Sequence, residues 1–211
     1  MGNNVVESVI TQDHIDKAIG YKDFRSLIDQ LLADDKTTGE NHSEAMLHYT
    51  KMNVQRMNRL DKTITIQQET IDKLNSIDEE LIWLVLAEAW CGDVAQNLPV
   101  MAKMADASED IQLNILLRDE NLEVIDEFLT NGGRSIPKLV CLKADDLEVL
   151  GSWGPRPEPA QDIMIDFKEN PGDRTKQDIV IDIQKWYAKD KAGTIQEEFR
   201  NLVDDWKQKL Q

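Results

Sequence analysis

The sequence predicts an α/β protein, a central mixed sheet with flanking helices and helical extensions at both ends. Three observations carry that prediction. The middle of the chain holds short continuous apolar runs, such as "LIWLVLA" from Leu81 to Ala87, of the kind that strands buried on both faces require. Such runs alternate with segments of helical spacing. On either side of this region, apolar residues recur only at steps of three and four.

Taken in order, residues 11–74 read as helical. A first helix is expected from Ile15 to Ala33, ending in the polar stretch "DDKTTGEN". The next carries a stripe of Met46, Tyr49, Asn53, Met57, Leu60 and Ile64, with Asn41 and Glu44 as its capping pair. In the middle, "LIWLVLAEAW" is a strand, Asp93 to Ala107 a helix, "IQLNILL" a strand and "NLEVIDEFLTN" a helix. "PKLVCLK" and "LEVLGSW" then form a hairpin turning at "ADD". The proline-rich link "GPRPEP" leads to a helix marked by Ile179, Ile183, Trp186 and Tyr187. In the last helix, Thr194 and Glu197 fit a capping box, and the apolar face holds Ile195, Phe199, Leu202, Trp206 and Leu210. The expected division is a helical extension over 1–78, an α/β core over 79–157 and a second helical extension over 158–211, packed as one unit.

Charge narrows the partners. Forty acidic against 24 basic residues give a formal charge of −16, which repels nucleic-acid phosphates and anionic lipid. Neither nucleic acid nor membrane is therefore expected as a partner, and the longest apolar run is too short to span a bilayer. The start, "MGNNVVESVI", lacks the cationic and apolar regions of a secretory signal, and Val6 replaces the Ser or Thr that myristoylation of Gly2 needs. A cytoplasmic location is expected. With only Cys91 and Cys141 present, there is no disulfide framework and no multi-cysteine metal site. His42 and His48, six apart, do not share a helix face and suggest no metal site either.

Chemistry concentrates at "EAWCGDVAQNLPVM", where Cys91 falls at a strand-to-helix junction. Unpaired N–H groups and the helix dipole favour a thiolate at such a position. A carboxylate at Asp93 opposes ionisation of the thiol, yet it also suits a helix N-terminus and is expected to cap it.

"WCGDV", with Pro99 eight residues beyond Cys91, resembles the thioredoxin superfamily. "RSIPKLVCL" adds a second likeness, because Ile136-Pro137 matches the family's cis-proline at the start of a central strand. The chain looks like the bacterial proteins grouped as thioredoxin family. The resemblance covers roughly Glu79 to Pro157 and implies a thioredoxin-like fold. It also implies a site in which Cys91 is the catalytic nucleophile and Trp90, Gly92, Asp93, Ile136 and Pro137 surround it. Arg134 is expected to offset Asp93 or to bind a carboxylate of a thiol cofactor or peptide.

The departures are specific. The family's resolving cysteine is Val94 here, and its buried acid, six residues before the first cysteine, is Val85. Intramolecular resolution of a mixed disulfide needs both a second thiol and a proton acceptor. Cys141 lies four residues beyond Pro137 on the same strand, about 13 Å of extended chain, and reads as a core residue. The resemblance thus implies monothiol thiol–disulfide exchange at Cys91. No bound cofactor is expected, a low-molecular-weight thiol would be the co-substrate, and protein or small-molecule thiols and disulfides would be the partners. The alternative is a redox-inactive thioredoxin-fold module that binds a peptide or protein. A glutathione-transferase-like enzyme is a third reading, weakened because helices lie on both sides of the sheet region.

Overall fold

The computed structural model describes residues 9–211, so Gly2 and Val6 lie outside the described residues. In order, the elements are α1 (Gln12–Lys17), α2 (Tyr21–Ala33), α3 (Glu44–Thr63), α4 (Gln68–Leu74), β1 (Leu81–Ala87), α5 (Gly92–Ala105) and β2 (Ile111–Leu117). There follow a single 3₁₀ turn (Arg118–Glu120), α6 (Leu122–Asp126), β3 (Lys138–Lys143), β4 (Val149–Trp153), α7 (Glu158–Glu169), α8 (Lys176–Asp190) and α9 (Gly193–Lys209).

The four strands form one mixed sheet in the order β2-β1-β3-β4. β1 runs parallel to β2 and antiparallel to β3, and β3 and β4 form the hairpin. Every residue of β1 is buried, as a central strand covered on both faces must be. The core reaches into both helical extensions, taking Phe24, Ile28 and Met57 from the first and Phe199, Val203 and Trp206 from the second. Trp83 of β1 meets Phe199 edge-on at 5.0 Å and Trp206 at 6.0 Å. Gly151 in β4 makes room for this cluster, since a Cβ there would stand 2.8 Å from Trp206 Nε1. Lys207 Nζ donates to Ser76 O at 2.6 Å and Lys209 Nζ to Leu150 O, tying α9 to the chain ahead of β1 and to β4.

Several expected local features differ. The first helix is broken at Ala18–Gly20, where Ile19 is extended and exchanges two backbone hydrogen bonds with Ile115, so it covers the outer edge of β2. Ser43, not Asn41, is the N-cap of α3; Asn41 accepts from the Ser43 N–H one step earlier. Thr194 and Glu197 form no capping box, because Thr194 gives both its N–H and its hydroxyl to Asp190 across the turn from α8. Only residues 122–126 of the "NLEVIDEFLTN" segment form a standard helix, as a Thr130–Gly133 bridge turns the chain shortly after it. The stripe on α3 divides in two. Asn53, Met57 and Leu60 are buried, but Met46 is only half covered and Tyr49 is exposed.

Because Phe199 is fully buried against two tryptophans, Phe199→Ala is expected to cost about 3–5 kcal/mol. Chemical denaturation should show the loss in a single transition. A C-terminal extension that unfolds separately would instead give two.

Candidate functional site

The buried strand β1 delivers its last residues into the turn Glu88–Cys91, and α5 starts at once. Cys91 is the N-cap of α5, with its own N–H donated to Glu88 O at 3.1 Å. The Cys91 thiol donates to Ile136 O at 3.3 Å, across the mouth between α5 and β3. The Ile136–Pro137 peptide is cis. Trp90, Gly92, Asp93, Ile136 and Pro137 therefore all lie at or beside the sulfur. Cys141 is buried in β3, and Val85 and Val94 are buried core residues.

Asp93 does not cap α5. Its Oδ2 accepts two hydrogen bonds from the Arg156 guanidinium, and its Oδ1 accepts from the Tyr187 hydroxyl at 2.9 Å. The two charged side chains are only 14% and 11% exposed, so this is a nearly desolvated pair with both carboxylate oxygens occupied. Tyr187 also accepts from Asn97 Nδ2 at 2.8 Å, and Gln184 accepts from Gln96 Nε2 at 2.7 Å. A polar seam thus holds α8 to α5. The expected counter-charge, Arg134, is elsewhere: exposed, it forms a two-pronged pair with Asp126 on α6. Arg156 occupies the place by the thiol because the chain after β4 turns back over α5. That turn depends on Gly154, whose φ is +120° and whose Cβ would stand 2.2 Å from Pro137 O.

The thiol is electrostatically suppressed. Burial, with the Asp93 carboxylate second, pushes the Cys91 pKa up to about 12, against a pull from the N–H groups of Val94 and Asp93 and from Arg156. A second unusual acid is Glu88, fully buried in the turn before the cysteine. Its Oε1 accepts the Asp119 N–H at 2.8 Å, while its Oε2 has no partner among the described residues. Burial raises its pKa to about 7, against hydrogen bonds from Thr38 and the Asp119 backbone. So a buried acid does precede Cys91, by three residues rather than six. The sequence held a signal for it, as Glu88 is the one charge between Leu81 and Asp93. A parallel signal existed for Arg156, the lone cation in "GPRPEP".

Above the sulfur opens a cleft of about 720 Å³, with α3 and α8 as facing walls and the start of α5 as floor. Its lining includes Trp90, Cys91, Gly92, Asp93 and Arg156, together with the exposed half of the α3 stripe. The Arg118 guanidinium stacks over Trp90 at 5.3 Å and braces the rim. Among the described residues no cluster of three or more His, Cys, Asp or Glu side chains could hold a metal, and no helix is long and apolar enough to cross a membrane.

A sheet that presents one cysteine at a helix start, facing a cis-proline, defines a thioredoxin-fold protein with a single-thiol site. The thioredoxin family profile matches residues 39–168, more than half of the chain, and the protein belongs to that family. A crystal structure of a protein of unknown function from Pseudomonas aeruginosa is 15% identical and superposes with a TM-score of 0.59, over 92% of this chain and 96% of its own. An HIV epitope-scaffold is 16% identical with a TM-score of 0.50, over 88% of this chain and 98% of its own. At these identities the likeness speaks to fold alone. No curated protein matches the chain.

Two outcomes follow from the buried charges. Asp93→Asn should lower the Cys91 pKa and speed its alkylation at fixed pH by about tenfold or more. The same change should destabilise the fold by about 3–5 kcal/mol, since it leaves Arg156 unpaired. For Glu88, the unfolded carboxyl ionises near 4.5 and the folded one near 7, so between these values the folded state holds more protons. Stability should therefore fall as pH rises through that window, by about 3 kcal/mol. Glu88→Gln should abolish that part of the slope in denaturation measured from pH 4 to 8.

Proposed function

We propose that this thioredoxin-family protein is a binding module, with a ligand held in the cleft over Cys91 and no dithiol cycle. The cleft carries this reading. Its two walls come from the helical extensions, and one of them is fastened to the floor by the Asp93–Arg156–Tyr187 group. Its size suits a bound small molecule or the side chains of a partner. The chemistry of the sulfur supports the same reading. Burial and the Asp93 carboxylate raise the thiol pKa and so disfavour the thiolate, the form that attacks disulfides.

A second reading is monothiol exchange, in which Cys91 forms a mixed disulfide that a low-molecular-weight thiol resolves. It is favoured by the position of the sulfur, which is not sealed in the core but lines the cleft floor at the start of α5. In that reading Ile136 and Pro137 would flank the incoming disulfide.

The rate of Cys91 alkylation against pH, in a Cys141→Ser background, separates the two. The binding module predicts a rate that keeps rising to pH 10 without a plateau, and turnover of a glutathionylated peptide no greater than that of Cys91→Ser. A plateau reached below about pH 8.5, with turnover lost in Cys91→Ser, would establish monothiol exchange instead.

A further inference from the structure

The charges lining the cleft run against those of the chain. The whole protein carries −16, yet the lining holds Arg56, Arg156 and Lys185 against a single acid, Asp93. Arg156 is spent on Asp93, and Lys185 is exposed at the cleft and paired with Asp182 at 3.0 Å. Arg56 is different. It is half-buried, and among the described residues it pairs with no carboxylate. Its Nη1 donates to Asn53 Oδ1 at 2.8 Å. Asn53 is itself fixed, since its Nδ2 donates to Ala89 O at 2.8 Å. The guanidinium is thereby held over the start of α5: a Cβ added at Gly92 would lie 3.5 Å from Arg56 Nη1 and 3.6 Å from Gln184 Nε2. A guanidinium offers five N–H donors, and such a fork matches a carboxylate.

Apart from Asn53, Gln177 and Gln184, the rest of the cleft is largely apolar. Met46 and Met52 of α3 face Met164 of α7 and Val180 and Ile181 of α8. Val180 and Ile181 are 42% and 43% exposed, so this apolar surface has no covering partner among the described residues. Methionine walls adapt to flexible aliphatic shapes. From Arg56 back to Met46 is ten residues of helix, about 15 Å at 1.5 Å per residue, enough for a medium-length alkyl chain laid along α3.

We propose that the cleft binds a small organic anion with an apolar body, its acid group on Arg56 beside Cys91 and its tail between α3 and α8. The inference rests on the binding-module reading and supplies its ligand class. Charge complementarity selects the anion: a neutral molecule leaves the half-buried guanidinium with its bond to Asn53 but without a paired anion, and a cation meets it as a like charge.

Calorimetric titration of the full chain at pH 7.5 with decanoate and with decan-1-ol tests this directly. Decanoate should bind at least tenfold more tightly than the alcohol. Arg56→Met should erase that preference to within twofold, with the alcohol's affinity unchanged as evidence that the cleft is still formed. Arg56→Lys should keep a part of it. If acid and alcohol bind equally well and Arg56→Met alters neither, the anion assignment is overturned while the cleft stands as a binding site. If neither chain binds at millimolar concentration, the cleft reading falls together with the assignment.

Discussion

The Asp93 carboxylate is the hinge of the whole site. It joins three stretches far apart in the sequence: the first turn of α5, the link after β4 and the last turn of α8, with Arg156 63 positions and Tyr187 94 positions beyond Asp93. Each contact is made in a place with little water, where a charge without its partner costs several kcal/mol. The group therefore behaves as a unit. It fixes the wall of the cleft and the electrostatics of the sulfur together, because the side chain that anchors α8 also sets a negative charge near the thiol.

Magnitudes explain why the helix start does not prevail at Cys91. A helix N-terminus stabilises a negative charge by about 0.3–1 kcal/mol when exposed. Lifting the thiol from 9.0 to about 12 corresponds to about 4 kcal/mol in the opposite sense. Burial is the larger cause and Asp93 the second. Arg156 pulls the other way, but its charge is already answered by Asp93. The motif that in isolation reads as an activated cysteine is thus set in surroundings that oppose ionisation of the sulfur.

The helical extensions are part of the architecture rather than decoration on a thioredoxin core. Phe199 and Trp206 close one face of the sheet, while Asn53 and Arg56 reach the cysteine turn from the other extension.

Much of the fold was legible along the chain because its determinants are local. A continuous apolar run such as Leu81–Ala87 admits few alternatives to a central strand, and the spacing of Ile195, Phe199 and Trp206 can bury only one helix face. The cysteine turn was legible for the same reason, as its residues are neighbours in sequence. What tertiary structure alone decided depends on distant partners. Asp93 had the look of a cap until Arg156 and Tyr187 came within reach, and Arg134 was a natural counter-charge until its partner proved to be Asp126. The α3 stripe gave no sign that Met46 and Tyr49 would border a cleft while Met57 entered the core. Periodicity reports that a face is apolar; which face meets another element is set by how the helices are placed, and that information is spread over the whole chain.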